Sequence, residues 1–188
     1  MTGEVLPRGF YDRPTLEVAR DLLGKFVVHL DGGVPRAGKI VEVEAYIGEE
    51  DRACHCRSGR TARNAPMYGP GGHAYLYLIY GLSTMLNVVT EPAGRPAAVL
   101  IRALEPAEHV LGRTDGPGRL TAALAIPRTL SGHDLLQPPL TIVDRGARPG
   151  RVATTTRINV DYAGEWAAKP WRFVDLESRH LSVRPRQL

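Results

Sequence analysis

The middle of the chain is a succession of short apolar runs, rich in β-branched and aromatic residues and punctuated by turn formers, at residues 26–30, 38–47, 74–80, 85–89 and 97–104. Runs of this length and composition read as strands. Strands must pair to satisfy their backbone groups, and turns as short as Asp31-Gly32-Gly33 join antiparallel neighbours. One sheet built from these runs is therefore expected, opened by a hairpin over 26–47. Residues 13–24 read as an amphipathic helix, with Leu16, Ala19, Leu22 and Leu23 on one side, Pro14 early and Gly24 just past the end. A small helical patch at 120–126 stops at Pro127, 140–143 is a short strand, and 151–160 is strand-like. The acids Glu49, Glu50 and Asp51 are suited to open a short helix. Residues 57–72 form a Gly/Arg/Pro loop, and 163–173 is a last unit interrupted by Pro170. No repeat or linker divides the 188 residues, which at 43% hydrophobic content suit one compact mixed α/β (α+β) domain. The expected form is a curved, mostly antiparallel sheet with surrounding helices and a protruding β-hairpin.

No apolar run approaches the roughly 18 to 20 residues that cross a bilayer, and residues 1–10 lack a basic region followed by an apolar stretch. A soluble, unexported protein with no membrane partner is expected. Cys54 and Cys56 are too close for a comfortable bridge and too few for a disulfide scaffold, which fits a reducing cytoplasm. The net charge of +4 favours a polyanionic partner only weakly, and its distribution says more. Between Arg52 and Thr90 there is no acid, yet Arg52, Arg57, Arg60 and Arg63 fall there; Arg179, Arg184 and Arg186 follow the last acid, Glu177. Such stretches suit phosphate contact, and arginine's planar fork suits it better than lysine. A solvated basic loop is the alternative.

In the strand over 39–47, alternation places Val41, Val43, Ala45 and Ile47 on one face and Glu42, Glu44 and Tyr46 on the other. That second face either lines a cleft, with Glu44 a base toward water and Tyr46 a stacking surface, or is an ordinary solvated strand face. His55 is either a hydrogen-bonding pocket residue or a structural histidine. The Cys54-His55-Cys56 run invites a zinc reading, but ligands this close cannot readily all reach one tetrahedral ion, so no metal is expected. In HAYLYLIYG (residues 73–81), Tyr75, Tyr77 and Ile79 share a face. Tyr80 sits beside the Gly81 turn, where a ring can project from a hairpin tip and wedge between stacked bases, although most tyrosine-rich strands are core.

The stretches EVEAYIGEEDRACH (42–55), RNAPMYGPGGHAYLYLIYG (63–81), LNVV (86–89), VLIRALEP (99–106), GPGRL (116–120), ALAI (123–126) and AGEWAAKPWRF (163–173) resemble, in order and spacing, the alkyladenine (3-methyladenine) DNA glycosylase family. The likeness spans nearly the whole chain. It implies one DNA glycosylase domain over residues 1–188, a monomer without cofactor or metal, acting on double-stranded DNA that contains damaged purines. The implied enzyme is a monofunctional DNA-3-methyladenine glycosylase of base excision repair, cytoplasmic and nucleoid-associated if bacterial. By the resemblance, Glu44 is the general base that activates water, and Arg102 helps hold the water and the flipped nucleotide. Tyr46, His55 and Tyr77 form the base pocket, and Asn87 stands where the exocyclic amino group of guanine would clash. Tyr80 fills the gap left in the duplex, while Arg57, Arg60 and Arg63 are the candidate phosphate contacts. The family's longer members carry a further basic segment between Glu105 and GPGRL that this chain lacks, and often a larger residue than Ser83.

The implied lesions are 3-methyladenine, 7-methylguanine, hypoxanthine and ethenoadenine. Alkylation at a ring nitrogen makes a purine cationic, which weakens its glycosidic bond and improves its stacking on electron-rich tyrosines. Extrusion costs least for damaged or mispaired bases. The only lysines are Lys25, Lys39 and Lys169, none in the implied site, which argues against a Schiff-base lyase. Two other classes compete: a non-catalytic reader of damaged nucleic acid using the same pocket, and a metal hydrolase built on Glu42, Glu44, His55 and the cysteines.

Overall fold

The computed structural model of the chain describes residues 3–79, 81 and 83–185. One antiparallel sheet organises it. Its strands are β1 (Glu4–Val5), β2 (Phe26–Asp31), β3 (Val34–Ile47), β4 (Ala74–Ile79), β5 (Ser83–Val89), β6 (Ala97–Glu108), β7 (Leu140–Asp144), β8 (Val152–Thr155) and β9 (Arg172–Asp175). The main path runs β1-β7-β2-β3-β6-β5-β4, and β9 pairs with β3 and β8. Helices are few: α1 (Arg8–Tyr11), α2 (Thr15–Leu22) and α3 (Pro117–Ala123). None among the described residues is long and apolar enough to cross a membrane. The fold is thus the expected compact α/β domain, with fewer helices around the sheet than anticipated.

Alternation along the central strands gives the sheet two different faces. Val43, Ala45, Leu76, Leu86, Val88, Val99 and Ile101 enter the main core together with Val18, Ala19 and Leu22 of α2 and Leu120 and Ala123 of α3. The other face carries Tyr46, Tyr75 and Tyr77. It is covered by the loop after β3, through Cys54, Cys56 and Met67, and by the segment between β8 and β9, through Val160 and Ala163. Residues 40–45 are consequently buried on both sides, so this part of β3 has no solvated face. The strict alternation read from the sequence fails at one place. Register shifts at Ile40, Glu42 and Val43 insert a bulge, which sends Val41 into a separate cluster with Ala103, Val174 and Leu181 while Val43 stays in the main core.

The hairpin β4–β5 lies at the sheet edge, and β5 pairs with β6 only over Asn87–Val89. Its outer half therefore projects beyond the sheet, propped by α3, whose Thr121 hydroxyl donates to the Thr84 carbonyl at 2.8 Å. Tyr80, the expected wedge, and Arg186 lie outside the described residues.

Three local expectations are corrected. Residues 48–50 form a turn rather than a helix start, because the Asp51 side chain instead accepts the backbone N–H groups of Ile47 and Ala53. The stretch 151–160 is strand only as far as Thr155, since Arg157 is drawn inward to a buried partner. Cys54 and Cys56 are paired in a disulfide: the turns around His55 bring their Cα atoms to 5.3 Å, within bridging range.

Gly38 shows how tightly β3 and β6 are packed. A Cβ there would lie 2.8 Å from the Leu104 Cβ. Gly38→Ala should destabilise the protein by about 1–3 kcal/mol, the usual range for overpacking. Urea unfolding checks this; an unmoved midpoint would show that the strand pair yields.

Candidate active site

Cross-strand pairing assembles the site. Glu44 on β3 is opposite Leu100 on β6, Leu100 is opposite Asn87 on β5, and Asn87 is opposite Tyr75 on β4. Residues two steps along these strands share the same face, which adds Tyr46, Tyr77 and Arg102. Leu100, Asn87, Tyr75, Tyr46, Tyr77 and Arg102 floor a cavity of about 280 Å³, whose remaining wall includes His55 and Met67 from the loop after β3 and Ile158, Val160 and Tyr162 from the segment before β9.

The Glu44 carboxylate is fully buried. Its Oε2 accepts the Tyr46 hydroxyl at 2.8 Å and Arg102 Nη1 at 3.2 Å, and its Oε1 accepts the Ile158 backbone N–H at 2.7 Å. All three donors belong to residues lining the cavity. An ionised carboxylate offers about four acceptor sites, so one is left for a further donor such as water. Arg102 also donates through Nε to Glu42 at 3.0 Å. Glu42 in turn accepts Arg172 Nε at 2.8 Å and both the N–H and hydroxyl of Ser182, at 2.6 and 2.7 Å. Burial alone would lower the Arg102 pKa, but Glu44 and Glu42 reverse this and raise it, so the guanidinium stays charged.

The aromatic walls are uncharged. Burial, followed by the neighbouring Glu44, holds the Tyr46 phenol well above its ordinary pKa; burial likewise raises Tyr75 and Tyr77. His55 packs edge-on against Tyr77, with ring centroids 4.3 Å apart, and its Nδ1 lies 3.0 Å from the Tyr75 hydroxyl. The ring lines the cavity. Desolvation, then Arg63 and Arg57, lower its pKa from 6.5 to about 4, so it is a neutral ring at neutral pH. Asn87 is buried and donates from Nδ2 to the Tyr75 carbonyl at 3.1 Å, which fixes its amide in the wall.

The structure therefore brings Arg102, Tyr46, His55, Tyr77 and Asn87 to one cavity, with Glu44 hydrogen-bonded to two of these residues, Tyr46 and Arg102. Arg57, Arg60 and Arg63 are exposed on the adjoining loop. Arg57 and Arg63, but not Arg60, line a second, outer hollow of about 520 Å³ that shares His55, Tyr75 and Tyr162 with the inner one. Among the described residues no group of three His, Cys, Asp or Glu side chains is arranged to hold a metal.

Several site residues went unnoticed in the sequence. Arg157 and Asp51, both fully buried, form a two-pronged ion pair at 2.6 and 2.9 Å. Arg157 also donates to the carbonyls of Ala45 and Trp166 and lies over the Tyr46 and Trp171 rings. It immediately precedes Ile158, the backbone donor to Glu44. Asn64 ties down the loop that carries His55, donating to the His55 and Gly59 carbonyls at 3.0 Å each. Tyr162 stands 64% exposed at the junction of the two hollows. An arginine and a tyrosine near a closing motif were visible as residues; their partners, more than a hundred positions away, were not.

Residues 9–179 match the family model described as methylpurine-DNA glycosylase (MPG). The chain belongs to the methylpurine-DNA glycosylase family. Curated relatives agree, each provisionally named 3-methyladenine DNA glycosylase. One from Anaeromyxobacter dehalogenans strain 2CP-C is 59% identical over 169 residues, covering 89% of this chain and 82% of that protein. One from Methanocella arvoryzae is 50% identical over 193 residues, covering 96% of each. One from Legionella pneumophila strain Corby is 47% identical over 178 residues, covering 94% of this chain and 97% of its own. The resemblance drawn from the motifs is thereby confirmed at the level of family.

Two measurements test the geometry of this family member. Asp51→Ala leaves the Arg157 guanidinium buried without its counterion and should cost about 3–5 kcal/mol in chemical denaturation. The His55 ring should titrate near pH 4 by NMR. The unfolded chain takes up that proton near 6.5, so His55 makes acidification from about 6.5 to 4 destabilising. A midpoint at its ordinary value would mean that the ring is not packed between the tyrosines.

Proposed function

We propose that the protein is a monofunctional DNA-3-methyladenine glycosylase that takes an extruded damaged purine into the inner cavity and hydrolyses its bond to deoxyribose. It acts as one domain and as a monomer on double-stranded DNA. The observation that carries this reading is the Glu44 carboxylate, wholly buried yet held by three donors on the cavity wall, with acceptor capacity left for a water.

The residues divide the work between them. Glu44 orients a water and takes its proton as the water attacks the sugar carbon, while the carboxylate charge stabilises the positive charge growing on the sugar. Arg102 holds the carboxylate in place from one side and the Ile158 N–H from another. Tyr46 and Tyr77 stack on the purine. His55, a neutral ring, presents a hydrogen-bonding edge to it. Asn87, fixed by the Tyr75 carbonyl, stands against the exocyclic amino group of guanine and rejects the normal base. Arg57, Arg60 and Arg63 reach backbone phosphates from the acid-free loop. Tyr80 fills the space vacated in the duplex.

Glu44→Gln keeps the shape of the site and removes the base. Release of hypoxanthine from a defined duplex should fall by about 10²-fold or more, within the range general bases contribute, while binding to the same duplex is retained. Base release at the wild-type rate would remove Glu44 from its role. Borohydride should trap no covalent protein–DNA adduct, and a trapped adduct would replace the water mechanism with an amine.

A further inference from the structure

A disulfide stabilises a fold chiefly by restricting the unfolded chain, and that restriction shrinks with the loop it closes. The Cys54–Cys56 bond closes a loop around His55 alone, so it is a weak staple. The segment is already tied down without it. The Cys54 N–H donates to the Asp51 carbonyl at 2.8 Å, the Gly59 N–H donates to the Cys56 carbonyl at 2.8 Å, and Asn64 donates to the carbonyls of His55 and Gly59. What the bond does touch is the wall of the inner cavity: both cysteines are buried in one cluster with Tyr75, against which Tyr46 and Tyr77 pack.

The two cysteines are not equivalent. Cys54 borders the outer hollow, together with Arg57, Ser58, Thr61 and Arg63, and no acid lines that hollow. Arg57 and Arg63 donate to backbone carbonyls, of Arg52 and Leu78, and form no salt bridge among the described residues. Their charge is therefore free to stabilise a thiolate, the reactive form of cysteine. Only 1% of Cys54 is exposed, which restricts access to small reagents. Cys56 is fully buried and lines neither hollow. Its Sγ lies 3.1 Å from the Gly48 carbonyl and 3.8 Å from that of Pro96, acceptors suited to a thiol S–H. One cysteine is thus placed to meet a reagent, and the other has a hydrogen-bond partner ready for its reduced state.

We propose that Cys54 and Cys56 form a reversible thiol–disulfide site that exchanges with low-molecular-weight thiols and disulfides through the outer hollow and thereby sets the His55 wall of the inner cavity. In the oxidising direction the Cys54 thiolate attacks a small disulfide RSSR, forming a Cys54–SR bond and releasing one RS⁻. Cys56 then gives up its proton and its thiolate attacks the Cys54 sulfur, forming the protein disulfide and releasing the second RS⁻. The two leaving groups take up the two protons lost by the cysteines, so the dithiol is oxidised as RSSR is reduced to two RSH. Excess RSH reverses both steps. Opening the bond moves the sulfurs from bonding distance to van der Waals contact. In a close-packed cluster that displacement passes to the neighbours, here His55 and Tyr75, whose Nδ1 and hydroxyl lie 3.0 Å apart. Only the effect on base release rests on the glycosylase reading.

The test equilibrates the folded protein with an excess of oxidised or of reduced glutathione and counts thiols by alkylation and intact mass. Oxidised glutathione should remove two hydrogens and leave no adduct, and reduced glutathione should restore both thiols. A bond that opens only on unfolding, or thiols that never pair, overturns the site. Single variants report which sulfur is reached: Cys56→Ala should take up one glutathione at Cys54, and Cys54→Ala should stay unmodified while folded. Equal reactivity of the two overturns exchange through the outer hollow. The wall is read without DNA, by NMR: the His55 ring resonances should shift between the two wild-type states and stay fixed in Cys54→Ala, and unshifted wild-type resonances overturn the coupling. Hypoxanthine release should differ between the two states by about three-fold or more, since a misplacement of about 1 Å alone can cost roughly 10²-fold. Equal release in both states overturns the link to the cavity. Protein that releases no base in either state overturns the glycosylase reading and leaves the exchange, read by mass and NMR, standing.

Discussion

Three carboxylates, Glu42, Glu44 and Asp51, are withdrawn completely from solvent within ten positions of one another, and the rest of the structure is arranged to match them. A buried carboxylate without a partner is penalised by several kcal/mol. The partners come from distant parts of the chain: Arg102 from β6, Arg172 from β9, Arg157 from the segment between β8 and β9, and Ser182 from beyond β9. Each ion pair is therefore also a tertiary clamp. Pairs of this kind add little net stability over a well-packed apolar replacement. What they add here is position: Glu44 is held by donors from its own strand, from β6 and from the segment carrying Ile158, so its two oxygens have little freedom to turn.

The same matching explains how two irregular segments become walls of one cavity. Asp51 folds the loop after β3 back on itself and pairs with Arg157, which in turn lies over Tyr46 and precedes Ile158. Movement of one wall thus strains the other. The sheet supplies the floor by alternation, with the buried faces of α2 and α3 on the opposite side although Pro117 of α3 reaches the cavity, so the packing that stabilises the domain and the surface that lines the cavity are kept largely apart on a single set of strands.

Much of this was legible in the sequence because it depends on local pattern. Period-two alternation places Glu44 with Tyr46 and Tyr75 with Tyr77 on common faces, and glycine and proline mark the strand ends. The motifs then named the site residues, all of which, apart from Tyr80, lie where a description exists. What was not legible depends on interactions across the chain. The β3 bulge that turns Val41 away from Val43 is set by pairing with β6 and leaves no mark in composition. Arg157 sat in a strand-like stretch, and only its partner at Asp51, 106 positions earlier, shows why the strand ends before it. The acids after Gly48 looked like a helix start because a first-turn carboxylate is favourable there, but Asp51 gains more from a buried guanidinium than from a helix dipole.

The character of the cavity also follows from this division between buried and exposed charge. Where Glu42, Glu44 and Asp51 are each paired inside and the stretch 52–90 carries no acid, the excess positive charge gathers at the mouth. That distribution attracts a polyanionic backbone from a distance, since exposed charges steer association. At short range desolvation, reinforced by the same charge, keeps His55 neutral and leaves its ring a hydrogen-bonding edge rather than a second cation. A neutral histidine beside neutral tyrosines makes an uncharged wall, which the proposed function uses to recognise a base by shape and hydrogen bonding. On the proposed function, the charge needed for bond cleavage is confined to the Glu44 carboxylate, and low polarity around it strengthens its effect on a sugar that becomes positive as the bond breaks.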